Sequence, residues 1–177
     1  DLKIGGVGYL FDKISHQLTK EVLVGLFFAI LVIGIFFVVF NNFNFSYFIV
    51  SLIPNIIPLL TCLGLLSFSD FYFSLSNAFI FAIVFGLIVD DSIHIISAYS
   101  SCRKRNLSIQ ESINFCQNNT YQAVIKTTVV IIFSLLPLLF SEFKSISQLA
   151  YITIISAVVA IIFDLIYLPK LLKYYIK

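Results

Sequence analysis

The chain alternates between long apolar runs and short polar breaks. Its first run, residues 22–69, carries no charge and is too long for one helix, because about 20 residues already cross the hydrocarbon core of a membrane. Asparagines and a serine cluster at residues 41–46, where we expect the chain to reverse direction. The pattern therefore predicts one span at about residues 22–40 and a second at about 47–67.

Three more spans follow from the remaining runs. The third covers about residues 75–99, the fourth about 121–140 and the fifth about 146–169. Between the third and fourth, residues 107–118 have apolar positions at helical spacing and a Ser108-x-x-Glu111 capping box. We predict an all-α integral membrane fold, with five transmembrane helices plus a short cytoplasmic amphipathic helix at the membrane surface.

Basic residues indicate the orientation. Arg103, Lys104 and Arg105 share one loop, whereas the opposite loop has Lys144 alone, so the positive-inside rule makes the first loop and the C-terminus cytoplasmic. Because the number of spans is odd, the N-terminus of the chain then lies outside. We interpret residues 1–20 as the end of an exterior domain and the lead-in to a transmembrane domain at residues 21–177.

Composition agrees with a membrane protein. Of 177 residues, 60% are hydrophobic and 11% are charged, and the mean hydropathy is +1.04, far outside the soluble range. The chain begins at Asp1 without any methionine, so we expect it to be part of a longer polypeptide. The cysteines, at 62, 102 and 116, lack disulfide or zinc spacing, and the basic residues form no nucleic-acid face. We predict no metal, no cofactor, no nucleic acid partner and no enzymatic activity.

The candidate chemistry lies inside the third span, which contains Asp90, Asp91 and His94. An aspartate at mid-helix in a bilayer costs about 2.5–3.5 kcal/mol, so something must offset it. An offset of four residues brings Asp90 and His94 onto one helical face, and Asp91 approaches His94 at an offset of three. Gly86, one turn earlier, leaves room for a neighbouring helix. Carboxyl and imidazole groups in a low dielectric exchange protons near neutral pH, which favours a proton relay.

Two structural interpretations of the acidic pair stay open. The acids either hold helices together as hydrogen-bonded partners, or the span ends early and the pair meets cytoplasmic water. Asp91 precedes Arg103 by about twelve residues, roughly 18 Å along a helix, which keeps the pair near the middle of the bilayer. Because intramembrane ionisable residues are usually functional, the relay is preferred.

Four other polar residues are candidates for supporting roles. Thr127 and Ser134 share a face of the fourth span and either hydrogen-bond the acids or pack against a helix. Asp164 is either a second proton site or, as we prefer, a residue of the cytoplasmic interface. Asn55 lies between two prolines, which predicts either a plain kink or backbone lining a cavity.

The segment Gly86-Leu-Ile-Val-Asp90-Asp91-Ser92-Ile-His94 resembles the resistance-nodulation-division superfamily, specifically its MMPL-type predicted exporters. Three further motifs resemble the second, fourth and fifth closing helices of that family: Asn55-x-x-Pro58, Leu138-Leu139-Phe140-Ser141-x-Phe143 and Asp164-Leu-x-x-Leu-Pro169. The resemblance spans nearly the whole chain. Ser134 and Ala150 depart from it, since they stand where the family tends to have glycines.

The resemblance implies that the chain is half of a transporter membrane domain, with the N-terminal half and porter domains elsewhere in the same protein. It implies that Asp90, Asp91 and His94 relay protons, and that proton influx across a bacterial cytoplasmic (inner) membrane drives export of lipids or other hydrophobic molecules. Membrane lipids and protons are then the other partners. Sterol-sensing domains share the five-helix arrangement, so a lipid- or sterol-sensing module without transport is the alternative. A scaffold fragment is a third hypothesis.

Overall fold

The architecture of residues 7–41, 43–68 and 75–176 is described by a computed structural model. Seven α-helices are formed there: α1 (Val7–Phe40), α2 (Ser46–Phe68), α3 (Leu75–Lys104), α4 (Ile109–Phe115), α5 (Tyr121–Leu135), α6 (Lys144–Ile162) and α7 (Leu168–Tyr175). Within the described part of the chain, five helical segments are long and apolar enough to cross a membrane. This confirms the predicted all-α fold with five spans.

The first two spans reverse where the asparagines cluster. α1 ends at Phe40 and α2 begins at Ser46, where the Asn44 side chain accepts a hydrogen bond from the Ser46 N–H at 3.0 Å. The start of α1 differs from the prediction. We placed a boundary between an exterior domain and the transmembrane domain at residue 20, and the helix runs through that position without a break. The assignment of residues 1–20 to an exterior domain stays a prediction.

The predicted surface helix and the fourth span form one continuous segment. α4 begins with the predicted capping box: the Glu111 N–H donates to the Ser108 hydroxyl at 3.2 Å, and the Ser108 N–H donates to the Glu111 carboxylate at 2.8 Å. A π-helical turn, Cys116–Thr120, joins α4 directly to α5, and a 3₁₀ turn, Leu136–Phe140, ends the span. The surface helix and the fourth span are therefore continuous, whereas the sequence pattern predicts them as separate elements.

The fifth span is longer than the sequence predicts, for a reason that lies in its backbone. Pro169 has no N–H to donate, and we took it as the end of the helix. In the structure a π-helical turn, Phe163–Tyr167, precedes it, and Pro169 falls in the first turn of α7, where the missing donor is tolerated. The helix therefore continues to Tyr175, and residues before Pro169 lie deeper in the membrane than predicted.

Helices α2, α3 and α6 form the centre of the bundle, since α6 packs against both of the others. In the most apolar stretch of each span, 39–44% of residues are buried for α2, α3 and the α6–α7 segment, against 11% for α1 and the α4–α5 segment. The latter two are therefore peripheral. Their outward apolar side chains suit lipid or another membrane protein.

Two apolar clusters fill the centre at different depths. One cluster, toward the C-terminal ends of α3 and of the fifth span, joins them through fully buried residues such as Tyr99 and Leu168. The other cluster joins the same helices nearer their N-terminal ends through Ile88 and Ile152. Together they hold α3 against α6 along most of its length, which fixes the direction in which the side chains of α3 point.

The close approach of α1 and α2 gives a test of this packing. A Cβ atom added at Gly34 would lie 2.6 Å from two ring carbons of Phe48, whereas one added at Gly25 would meet nothing within 4 Å. Gly34→Ala should therefore destabilise the protein by about 1–3 kcal/mol through overpacking. Gly25→Ala, the matched control, should be neutral or slightly stabilising because alanine favours helix. Thermal unfolding of the purified full-length protein measures both; equal effects would contradict the packing.

Candidate functional site

The acidic residues of α3 lie near the middle of the helix. α3 runs from Leu75 to Lys104, so Asp91 lies about 16 residues from one end and about 13 from the other. At about 1.5 Å per residue these separations are roughly 24 and 20 Å. The helix continues well past the acids on both sides, which favours a position inside the membrane over a span that ends early.

Asp90 and His94 form a pair on the uncovered face of α3. Their side chains approach to 3.6 Å and are 71% and 66% exposed. Gly86 lies on the same face, and a Cβ there would meet nothing within 4 Å, so the surface around the pair is open. Ionisable groups at this depth do not face lipid without a large cost. This face is therefore suited to contact with another part of the protein or with water inside it.

Asp91 points instead toward the fourth span. The hydroxyl of Thr128 lies 3.3 Å from one carboxyl oxygen of Asp91, and the hydroxyl of Thr127 lies 3.5 Å from the other. Both hydroxyls also lie near the Val124 carbonyl oxygen of their own helix. The Thr128 hydroxyl is 2.9 Å from it and the Thr127 hydroxyl is 2.8 Å from it. A hydroxyl has one proton to donate, so each threonine donates either to the Asp91 carboxyl group or to the backbone carbonyl of its own helix.

Asp164 is buried in the centre of the bundle. Its side chain is 0% exposed, and one carboxyl oxygen accepts a hydrogen bond of 2.7 Å from the hydroxyl of Ser92 on α3. The other oxygen has no hydrogen-bond partner. We preferred a position for Asp164 in the cytoplasmic interface, whereas the structure places its side chain inside the bundle beside Ser92, in a span that continues past Pro169.

The site thus contains residues that the sequence interpretation missed. Ser92 and Thr128 each bond a carboxyl group across a helix interface, and neither was proposed. Both are small hydroxyl residues beside a candidate, Ser92 next to Asp91 and Thr128 next to Thr127, and this adjacency was the available signal. A residue one position along a helix points about 100° away, so Ser92 reaches the fifth span while Asp91 reaches the fourth.

Two predicted supporting residues lie away from the acids. The Ser134 hydroxyl is exposed and donates to the Ile131 carbonyl at 2.8 Å, so the face it shares with Thr127 does not bring it to Asp91. Asn55 is buried within α2, where its amide donates to the Ser51 carbonyl and the helix continues past both prolines. Asn55 also lines a gap of about 10 Å³ beside Phe85 of α3, and both interpretations of Asn55 stay predictions.

The described part of the chain contains no cluster of side chains typical of a metal site, since no group of three histidine, cysteine or acidic residues is positioned there to hold a metal ion. The three cysteines are buried and form no disulfide with one another. The functional groups gathered around Asp91 and Asp164 are carboxyl and hydroxyl groups.

Comparison with protein families decides the affiliation. Residues 4–177 match the family model described as protein export membrane protein SecD/SecF, C-terminal. The chain belongs to the SecD/SecF family. A comparison with curated proteins gave no match. The SecD/SecF match covers nearly the whole chain, including all five spans and every residue of the site.

Membership of the SecD/SecF family corrects two predictions. The assignment to the MMPL-type exporters is wrong, and so are the functions drawn from it, export of lipids or other hydrophobic molecules and the lipid- or sterol-sensing alternative. The motif from Gly86 to His94 describes a membrane helix with acidic residues and contains no information about cargo. The chain is a multi-pass membrane component of protein export, which confirms that it is not an enzyme.

The bond between Ser92 and Asp164 gives a prediction about stability. Ser92→Ala should destabilise the SecD/SecF membrane domain by about 1–3 kcal/mol, because the buried carboxyl then loses the one hydrogen-bond donor that the described residues offer it. Ser134→Ala is the matched control, since the Ser134 hydroxyl is exposed and bonds only its own helix. Thermal unfolding of the purified full-length variants measures both. Equal losses of stability would contradict a structural bond at Asp164.

Proposed function

We propose that this chain is a membrane domain that couples proton movement to protein export, and that Asp91 is the carboxyl group that carries the proton. The observation that supports this most directly is the position of Asp91, midway along the third span and in contact with two threonine hydroxyls of the fourth. A carboxyl group at that depth is not needed to hold an apolar bundle together. Its family accounts for the cargo, an exported polypeptide.

The hydrogen bonds of Thr127 and Thr128 provide the coupling. An ionised Asp91 accepts the hydroxyl protons and draws them away from the backbone of α5, because a charged acceptor forms the stronger bond. A protonated Asp91 has one O–H, which it donates to one threonine oxygen, so that threonine returns its own proton to the Val124 carbonyl while the other keeps donating to the second carboxyl oxygen. Each proton that arrives or leaves thus reverses the direction of one of the two bonds between α3 and α5.

The packing allows this reversal to move one helix against the others. α3 packs extensively against α6, whereas α3 and α5 touch little apart from the aspartate–threonine contacts. The bond between Ser92 and Asp164 further ties α3 to the fifth span. A change at Asp91 therefore alters the fit of α5 more readily than the fit of α6, and α5 is the element that transmits the proton signal.

Asp90 and His94 serve the entry and exit of the proton. Their exposed face on α3 requires a cover at mid-membrane depth, and the N-terminal half of the same protein supplies it in our proposal. The imidazole of His94, which lies 3.6 Å from the Asp90 carboxyl, then passes protons between that interface and the acidic pair. Asp164 is a second proton-binding group, because a buried carboxyl with one unpaired oxygen is more stable when neutral.

The remaining partners follow from the family. The protein works with the polypeptide translocation machinery of a bacterial cytoplasmic membrane, where a proton gradient is available. The N-terminal end of this chain faces outward and its basic loop and C-terminus face the cytoplasm, in accord with the distribution of lysine and arginine. Folded exterior domains of the same protein engage the exported chain, and this membrane domain moves them.

Export in membrane vesicles that contain the full-length protein tests the role of Asp91. Asp91→Asn removes the titratable proton but keeps an acceptor for the threonines and nearly the same shape. We expect the part of reporter-preprotein export that depends on the proton gradient to disappear, while export without the gradient is unchanged. Glu142→Gln is the matched control, because Glu142 is an exposed acid in the loop between the fourth and fifth spans.

Unchanged gradient-dependent export in Asp91→Asn would contradict the proposed role, provided that the variant is present in the membrane at the native level. A loss in both variants would show that any acid-to-amide change is harmful, and would equally remove the argument for position 91. Thr128→Val, which deletes one hydroxyl and keeps the shape, should lower gradient-dependent export less than Asp91→Asn, because Thr127 still contacts the carboxyl.

A further inference from the structure

A polar cavity lies at the cytoplasmic end of the bundle, away from the acidic pair. It is bounded by the turn between α1 and α2 and by the end of α3, and its volume is about 520 Å³. Asn41, Asn44 and Tyr47 line it from the turn, and Ser100, Arg103 and Lys104 line it from α3. None of these residues takes part in the proton chemistry, so the cavity needs a separate explanation.

The charge of the cavity selects an anionic ligand. Arg103 and Lys104 contribute two positive charges, and among the lining residues that the structure describes there is no aspartate or glutamate to neutralise them. The amide and hydroxyl groups around them add hydrogen-bonding capacity without charge. Arginine and lysine side by side, with neutral donors, are the groups that proteins use to bind phosphate.

The walls of the cavity are held in place before any ligand binds. The Asn41 amide donates to the Phe37 carbonyl at 2.9 Å and accepts from the Ser100 hydroxyl, so both ends of this buried side chain are fixed. Arg103 donates one N–H to the Leu107 carbonyl at 2.8 Å. A guanidinium has five N–H donors, so this bond orients the group and leaves other donors for a ligand.

The surroundings of the cavity indicate which kind of anionic ligand can reach it. Phe40, Phe43 and Phe45 beside it are 61%, 77% and 63% exposed, and such a group of exposed apolar rings suits contact with lipid. Lys104 lies 4.7 Å from the centre of the Phe40 ring and donates to the Phe40 carbonyl at 2.8 Å. A cation is thereby held where apolar surface and headgroups meet.

We infer that this cavity binds the phosphate group of an anionic phospholipid from the cytoplasmic leaflet. Its volume lies within the range of about 300–1,000 Å³ that is usual for ligand sites, and exceeds what a phosphate ion alone would fill. The bound lipid is a fixed ligand and not cargo. It bridges the α1–α2 turn and the end of α3 and thereby stabilises the packing of the first span, whether or not Asp91 carries protons.

The test uses the purified full-length protein in detergent and measures bound lipid by native mass spectrometry. Phosphatidylglycerol, phosphatidylcholine and inorganic phosphate are titrated separately. Lys104→Gln should weaken phosphatidylglycerol binding by about fivefold, the effect of one surface cation on an anionic lipid. Arg103→Gln should weaken it at least as much. Arg105→Gln, the matched control, should change it less than twofold, because Arg105 is exposed and does not line the cavity.

Three outcomes would overturn the inference. Equal losses in Lys104→Gln and Arg105→Gln would mean that the lipid responds only to overall charge. Equal affinity for phosphatidylcholine would mean that anionic headgroups are not selected. If inorganic phosphate bound as tightly as phosphatidylglycerol and with the same dependence on Lys104, the ligand would be a soluble phosphate and not a lipid. Lys104→Gln keeps the test valid if Arg103→Gln fails to fold, because Lys104 is exposed.

Discussion

A carboxyl group in the middle of a membrane must be neutral, or its charge must be satisfied by hydrogen bonds, and the structure of this domain is arranged around that constraint. Asp91 meets two threonine hydroxyls of the fourth span, and the carboxyl of Asp164 meets the hydroxyl of Ser92. Each bond crosses an interface between helices. The acids of the third and fifth spans therefore connect three of the five spans, and a proton that binds at one of them changes contacts between helices.

The interfaces that α3 forms with α6 and with α5 differ in how readily they can change. α3 and α6 share a long apolar contact, which one hydrogen bond cannot loosen, since burial of apolar surface dominates there. α3 and α5 share little besides the aspartate–threonine contacts. Because those contacts depend on a titratable group, we propose that a proton gradient acts on the helix packing there. The exposed face at Asp90 and His94 suits contact with another part of the protein or with a partner protein.

Much of the fold could be predicted from the hydrophobic pattern and a few local signals. Runs of about 20 apolar residues predict the spans, clustered asparagines predict the reversal, and the capping box predicts the start of a helix. The errors arose where local rules compete. Pro169 normally ends a helix, yet the π-helical turn before it lets the helix continue, and this moved Asp164 from the predicted interface to the bundle centre. Thr128 was missed because a hydroxyl on a helix gives no sign in the sequence of which neighbouring helix it faces. The cargo was predicted wrongly because residues that move protons do not contact it.

The most direct test of this account is a distance measurement between the third and fourth spans as the pH changes. Spin labels placed by cysteine substitution at Ile83 and Leu136, both exposed near the outer ends of these spans, report the distance between α3 and the end of the fourth span in the full-length protein. The account predicts that the distance distribution shifts between alkaline and acidic conditions in the native sequence, and that Asp91→Asn removes the shift. The same shift with asparagine at position 91, or no shift in the native sequence, would contradict it.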